Sequence, residues 1–452
     1  MLHKLRRSIL LLWKLLVFIL VGSVFFLLFS IRNPYLLVPS RTAGITLLAY
    51  TLVYILMTQV YGGYDVGTKK SRPIIYSLSL SVIAADLAAH LFLCIMNTTV
   101  VHNGHFVYEQ PLLLLLCMIL QIVLIVIFSY GGNGLYFHFV PPSQCLVILR
   151  PGDDIRRLTK KIGAYHKQFQ IRQFVTLDDP QLYDLIDQYS TIFLCNLSVR
   201  ERLGIVEYCY SQKKNFYYTL EMFDLVSLGT ERVMFDDISM MHSAPKGLTM
   251  EQRIVKRGFD IVASLLCLLL VSPIMLIAAI AIKLEDGGPV FYYQNRATYA
   301  GRTFRVIKFR SMRETHGIQH SVTKDDDRIT KVGRFIRKYR IDELPQLINV
   351  LKSDMSFVGP RPEMLENVEK YTRELPEFSY RLWAKAGLTG MAQVYGKYNT
   401  SPKEKLTMDL IYIEQYSLLL DLKLLLRTIL VLFTPEDSTE AFEDDAEEVV
   451  TK

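Results

Sequence analysis

No CxxC pair and no metal-ligand spacing occurs among the six cysteines of this 452-residue chain. Cys94, Cys117, Cys145, Cys195, Cys209 and Cys267 thus offer neither a structural zinc site nor a dithiol centre. They read as small buried hydrophobes in a reducing compartment. Acidic residues are outnumbered by basic ones, 44 to 51, and the excess suits anionic partners. The two signs are also kept apart. Residues 296–343 hold thirteen Lys or Arg against six Asp or Glu, whereas residues 435–452 hold eight acids and one Lys. Nucleic acid would be one partner for the basic block, but the membrane-like sequence beside it argues against that.

Apolar residues are abundant: 51% of the chain is hydrophobic and mean hydropathy is +0.23. Residues 9–31, 43–61, 74–96 and 112–130 each approach the ~20 residues of a spanning helix. The first is too long for a cleaved signal peptide and lacks a small-residue cleavage site at its end. Lys4, Arg6 and Arg7 precede it, and Lys69, Lys70 and Arg72 separate the second from the third. No Lys or Arg lies between the third and fourth. The positive-inside rule then puts the N-terminus and everything after Gly131 in the cytoplasm. Asp86 and His90, four apart on one face of the third span, read as a pair that glues the bundle.

Over residues 145–230, CLVILR, QIRQFVTL, STIFLC and NFYYTL alternate with helical stretches, the signature of a parallel α/β sheet. A Rossmann-like module is expected, without a dinucleotide. Its first turn, RPGDDIRR, has Gly152 alone and two acids where a pyrophosphate would sit. A scaffold or regulatory role fits better. Next comes RGFDIVASLLCLLLVSPIMLIAAIAIKLEDGGPV, an apolar run interrupted by Ser272-Pro273. Proline removes a backbone donor and clashes with the preceding turn, so this run either spans the membrane or bends back to the side it came from. Near the end, SLLLDLKLLLRTILVLF carries Asp421, Lys423 and Arg427 and reads as an interfacial helix.

One dense polar island remains, RKYRIDELPQLINVLKSDMSFVGPRPE at 337–363. Its adjacent Asp342 and Glu343 project differently on any regular backbone and can hold different jobs around one ion. Carboxylate oxygens suit Mg²⁺, which commonly takes one or two of them plus substrate phosphates. Lys308, Arg310, Arg334, Arg337 and Arg361 supply charge to neutralise a diphosphate. A carboxylate attacking phosphorus splits one transfer into two steps. A bare Asp-Glu pair also fits a solvated helix start. These residues alone define a phosphate-handling site at a cytoplasmic membrane surface and do not name its reaction.

The wider pattern narrows the reading. KRGFDIVASLLCLLLVSPIMLI, GGPVFYYQNRATYAGRTFRVIKFRSM, TKDDDRITKVGRFIRKYRIDELPQLINVLKSDMSFVGPRPE, AGLTGMAQVYGKY and LDLKLLLRTILVLF follow one another over residues 256–433. In that order and spacing the chain resembles the bacterial sugar transferase family, the monotopic phosphoglycosyl transferases, in their long form. The resemblance implies that Asp342 is the nucleophile and Glu343 the partner carboxylate that helps hold Mg²⁺. It makes Lys308 and Arg337 basic residues of the active site. It places Arg361, Pro362 and Glu363 in a loop bordering the nucleotide sugar, with Arg310 joining them in substrate binding. Ser272-Pro273 matches the break that turns the family's membrane helix back to the cytoplasm.

The resemblance further implies a hexose-1-phosphate transferase that uses a UDP-sugar and undecaprenyl phosphate and releases UMP. Such an enzyme starts capsular or exopolysaccharide assembly at the bacterial inner membrane, its catalytic domain on the cytoplasmic face. A homodimer and downstream glycosyltransferases are compatible partners; nucleic acid is not. The expected fold is an α-helical membrane bundle of four spans (1–140), then a parallel α/β Rossmann-like domain (141–245). A mainly α catalytic domain with a re-entrant helix hairpin (246–434) and an acidic disordered tail (435–452) follow. Tyr339-Arg340, Ala386 and Tyr395 depart from the family's pattern and leave the hexose open. Asp325-Asp326-Asp327 imitates a metal-binding DxD, yet no QxxRW-like partner accompanies it, and it reads as a solvated loop.

Overall fold

A computed structural model describes residues 2–61, 71–96, 108–152, 159, 162–163, 165–243, 247–313, 328–396 and 400–432, the side chains of 2–9, 430 and 432 set aside. The acidic tail, Asp325-Asp326-Asp327 and most of the first helix expected in the α/β module lie outside these residues. The chain divides into two compact units, Met1–Thr219 and Leu220–Lys452.

The first unit opens with helices α1 (Leu2–Ser30), α2 (Arg41–Tyr61), α3 (Ser71–Met96) and α4 (Pro111–Phe139). All four are long and apolar enough to cross a membrane. Val21, Phe25, Tyr50, Leu78, Val82 and Ile125 form their shared core, while leucines and isoleucines cover the outer faces. The expected Asp86–His90 pair does not form. Asp86 accepts from Gln121 Nε2 at 3.2 Å, and the same amide donates to the Val21 carbonyl at 3.0 Å, tying α1, α3 and α4 together. In an apolar bundle an amide from a neighbouring helix satisfies a carboxylate and a carbonyl at once. His90 instead meets Cys94 Sγ at 3.5 Å and the rings of Phe29 and Tyr108.

A four-stranded parallel sheet follows, β1 (Ser143–Leu149), β2 (Phe169–Thr176), β3 (Thr191–Leu194) and β4 (Asn215–Tyr218), in the order β2-β1-β3-β4. Helices α5 (Leu182–Gln188) and α6 (Val199–Ser211) connect its strands. The order reverses between β1 and β3, the crevice where open α/β sheets place ligands. Here Arg150, just past β1, forks onto Glu201 at 3.1 and 2.5 Å. Glu201 also completes a capping box with Ser198 at the start of α6. The donors a phosphate would need at that helix end already have a carboxylate.

The second unit begins with α7 (Met222–Leu228) and a hairpin of β5 (Glu231–Phe235) and β6 (Ile238–His242). Helix α8 (Met250–Asp286) and the hairpin of β7 (Phe291–Ala297) and β8 (Thr303–Phe309) come next. Helices α9 (Lys331–Lys338) and α10 (Gln346–Leu351) lead to β9 (Ser356–Val358), then α11 (Leu365–Glu374) and β10 (Gly387–Thr389). Helices α12 (Met391–Tyr395), α13 (Pro402–Glu414) and α14 (Leu418–Leu432) end the described chain. Leu225 is buried with Leu406 and Leu410, and Lys403 pairs with Glu221 at 3.0 Å. Residues 220–228, read from the sequence as part of the α/β module, thus belong to the core of this unit. A chain truncated to begin at Leu220 should therefore melt as one unit, whereas one beginning at Thr249 loses Leu225 and should melt earlier. Equal melting temperatures in detergent would show that α7 adds nothing.

Helix α8 corrects the expected helix–break–helix. It is helical over all 37 residues, through Ser272 and Pro273. Pro273 cannot donate to the Leu269 carbonyl one turn back, but the Ser272 hydroxyl donates to that oxygen at 2.9 Å. The bond proline removes is replaced, so no residue leaves the helix. A capping box of Thr249 and Gln252 starts the helix, and Gly287 ends it at φ 72°, a left-handed conformation that favours glycine. One stripe of α8 faces the protein throughout. Lys256 donates to Asp421 at 2.5 Å and to Tyr412 at 3.2 Å. Asp260 accepts from the Phe357 amide at 2.9 Å and from Ser356 at 2.8 Å. Farther along, Ala278 and Ile282 pack with Phe309 and Ile336. Leu269, Leu270, Leu276 and Ile277 on other faces are exposed. Asp421 of α14 is fully buried against Lys256, so this charge anchors the helix inward.

Candidate active site

Strand β8 alternates, so Phe304, Val306 and Lys308 share one face, and Lys308 stands opposite Tyr292 of β7. Helix α9 carries Arg337 in its last turn and stops at Lys338. Arg340 then takes φ 54°, a left-handed conformation costing about 1–2 kcal/mol for an L residue, and reverses the chain. Residues Ile341–Glu343 form a single 3₁₀ turn. Ile341 packs beside Ala278, Ile282, Phe309 and Ile336, which seats the following carboxylates against α8.

The two carboxylates are treated differently. Glu343 Oε1 accepts from Lys308 Nζ at 2.8 Å and from Arg361 Nη2 at 3.1 Å. Asp342 accepts no hydrogen bond and joins no ion pair among the described residues. Burial, helped by the neighbouring Glu343 charge, raises the Asp342 carboxyl to about 6, against the pull of Lys308, Arg337 and Arg361. Burial also opposes ionisation of Glu343, but Lys308 and Arg361 outweigh it and hold that carboxyl well below the usual range. One carboxylate is spent on organising cations. Its neighbour keeps its lone pairs free.

Arg361 reaches the site from a loop that the backbone clamps. Gly359, Gly387 and Gly390 cross where β9 and β10 pair, with the Gly359 amide donating to Thr389 and the Gly387 amide to Pro360, at 2.8 and 2.9 Å. A Cβ on Gly387 would lie 2.1 Å from the Gly359 nitrogen, and one on Gly390 would lie 2.0 Å from the Gly359 oxygen. Two guanidiniums, one buried and one half-buried, hold the next carbonyls: Arg381 donates to Arg361 O at 2.8 Å and Arg296 to Pro362 O at 3.2 Å. Arg381 also pairs with Asp409 at 2.7 Å. The sequence reading passed over Arg296, Arg381 and Asp409. The GPRPE and AGLTG motifs were the available signal that two glycine-rich segments must meet.

The structure brings Asp342, Glu343, Lys308 and Arg361 together, with Arg337 acting on Asp342 through its charge. Three other residues expected to contact substrate are engaged with protein groups. Arg310 forks onto Asp286 and donates to the Pro289 carbonyl at 2.6 Å, closing the end of α8. Gly288 permits this, since a Cβ there would sit 2.7 Å from the guanidinium. Glu363 is buried beside Arg381 and Lys405 at 3.7 and 3.6 Å, and Pro362 gives its carbonyl to Arg296, so both brace the loop. Among the described residues no cluster of three metal-ligating side chains occurs. Asp342 with the free edge of Glu343 fits a hard divalent cation only as a two-carboxylate seat, the kind completed by water and substrate phosphate.

A carboxylate unpaired among the described residues, set among cations beside a helix apolar enough to cross a membrane, is a site suited to a phosphate at a membrane surface. Residues 251–435 match the family described as bacterial sugar transferase. A UDP-N-acetylgalactosamine-undecaprenyl-phosphate N-acetylgalactosaminephosphotransferase of Aeromonas hydrophila is 45% identical over 186 residues, 40% of this chain and 44% of that protein. A UDP-glucose:undecaprenyl-phosphate glucose-1-phosphate transferase of Caulobacter vibrioides is 42% identical over 190 residues, 40% of this chain and 71% of its own. An uncharacterized sugar transferase of Bacillus subtilis is 40% identical over 176 residues, 39% of this chain and 86% of its own. The chain belongs to the bacterial sugar transferase family. It spans less than half of the Aeromonas relative and most of the other two.

Proposed function

We propose that the protein transfers a hexose-1-phosphate from a UDP-sugar to undecaprenyl phosphate, starting a capsular or exopolysaccharide chain. The observation that carries this reading is the division of labour between the carboxylates: Glu343 is doubly paired with Lys308 and Arg361, and Asp342 is unpaired among the described residues. An Asp342 oxygen attacks the sugar-bearing phosphorus, the P–O bond to UMP breaks, and UMP leaves. An oxygen of the polyprenyl phosphate then attacks the same phosphorus. The bond to Asp342 breaks, the carboxylate returns, and the polyprenyl-diphosphate sugar is released. Lys308, Arg337 and Arg361 offset the charge that builds on the phosphoryl oxygens. A Mg²⁺ ion seated on Asp342 and Glu343 would add Lewis-acid neutralisation of the same oxygens. Incubating the full-length protein with a panel of UDP-sugars and undecaprenyl phosphate tests the reading. UMP is the expected nucleotide product; UDP, or no nucleotide, would overturn it.

The proposal also places α8 in the cytoplasmic leaflet of the bacterial inner membrane, entering and leaving on one side. Pro273 lies inside this helix, and a proline kink can turn its two halves toward one face without ending the helix. Both of its halves pack on one compact unit, which supports a common side for its two ends. Single cysteines at Glu251 and Lys283, both exposed, should react with a membrane-impermeant maleimide only when the cytoplasmic face is opened. Lys256 is unsuitable for this because it is buried. Labelling at the Lys283 position from outside intact cells would mean a full span.

A further inference from the structure

The β7–β8 hairpin has a second face. Because side chains alternate, Tyr293, Arg305 and Ile307 point away from the face that carries Lys308. On that far side a cleft of about 320 Å³ is lined by Tyr293, Arg302, Arg305, Asn349, Lys352 and Asp354. Its floor is rigid: Asn349 accepts from the Ile307 amide at 2.9 Å and donates to the Arg305 carbonyl at 2.8 Å. The cleft holds three cations and one acid. Asp354 is engaged by Arg302 at 3.5 Å and by Asn349 at 3.4 Å. Arg305 and Lys352 have no counter-ion among the described residues.

Two cations that line one concave site, with no counter-ion among the described residues, favour an anion between them. A guanidinium fork and an ammonium match the oxygens of a phosphate group, and the Tyr293 ring offers an apolar wall beside it. The volume falls within the range of small-molecule sites. We propose that this cleft binds a phosphate-bearing ligand, across the hairpin from Asp342 and separate from the transfer site. The chemistry is shared by a free pyrophosphate or nucleotide and by the headgroup of an anionic lipid. Arg305 lies three residues before Lys308 on one strand, so a ligand there would stiffen the strand that presents Lys308 to Glu343.

The experiment uses the full-length protein in phosphatidylcholine nanodiscs. Pyrophosphate binding by calorimetry should show two sites. Replacing both cations (Arg305→Gln with Lys352→Gln) should weaken one of them about tenfold or more, and Arg361→Gln should weaken the other. Arg305→Lys, which keeps the charge, should restore part of the loss. If the lipid is the ligand, pyrophosphate binding stays unchanged in the double variant, and native mass spectrometry from discs containing phosphatidylglycerol shows one fewer retained lipid. Both cations are exposed, so an unchanged melting temperature will confirm the fold. A double variant that matches wild type in both measurements would overturn the proposal. Neither readout requires turnover, so the result stands apart from the transfer reaction.

Discussion

Replacing Asp342 with Asn should reduce UMP release by roughly 10⁴-fold or more while leaving the melting temperature within about 2 °C of wild type. The amide keeps the volume but has no lone pair basic enough to attack phosphorus. Among the described residues the Asp342 side chain makes no hydrogen bond whose loss would unsettle the turn. Glu343→Gln should behave differently. It leaves an amide oxygen to accept but removes the negative charge that offsets Lys308 and Arg361, so activity and stability should fall together. A trapped sugar-phosphate adduct on a peptide containing Asp342 would identify the nucleophile directly. The raised Asp342 carboxyl, near 6, adds a pH signature. Protonation gains ground below that pH, so kcat/KM should fall about tenfold per unit on the acid side and level off above it. An Asp342→Asn protein that releases UMP at the wild-type rate would end the covalent account.

The second large effect should come from a residue that touches no substrate. Gly387→Ala puts a Cβ 2.1 Å from the Gly359 nitrogen, and the clashing atom is backbone, which has no rotamer to escape into. Overpacking of this kind should cost about 3 kcal/mol or more, or roughly 6–12 °C in melting temperature for a unit of this size. Activity should fall further than stability. The displaced segment at Gly359 leads into the loop that carries Arg361, and the Glu343–Arg361 contact at 3.1 Å leaves little slack. Gly301→Ala should be milder; its φ of 75° strains an L residue but no neighbour lies within 4 Å of the added carbon. Equal losses for the two substitutions would mean that the crossing does not govern the loop.

Much of this was readable from local pattern. The four strands of the first unit form where runs rich in β-branched or aromatic residues predicted them, and the Asp342, Glu343, Lys308 and Arg361 set assembles as its motifs implied. What escaped was long-range. No periodicity records that Arg381 reaches back to the Arg361 carbonyl, or that Asp286 takes the fork of Arg310. The β5–β6 hairpin was missed because its turn, Asp236-Asp237, has no glycine; Asp236 supplies the positive φ of 57° itself. At Pro273 a sound local rule was overridden by one hydroxyl. Proline does delete a backbone bond, and Ser272 replaces it.

Ile341 sits between the apolar flank of α8 and the two carboxylates, one residue from Asp342. The Asp342 carboxylate is thereby geared to the helix like a mark on a hull to its waterline. With both ends of α8 on one side, as proposed, its height above the bilayer would be set by how deep α8 settles, and bilayer thickness would have no direct purchase on it. A lipid phosphate drifting at that level would be searched for in two dimensions, its long chain never leaving the leaflet.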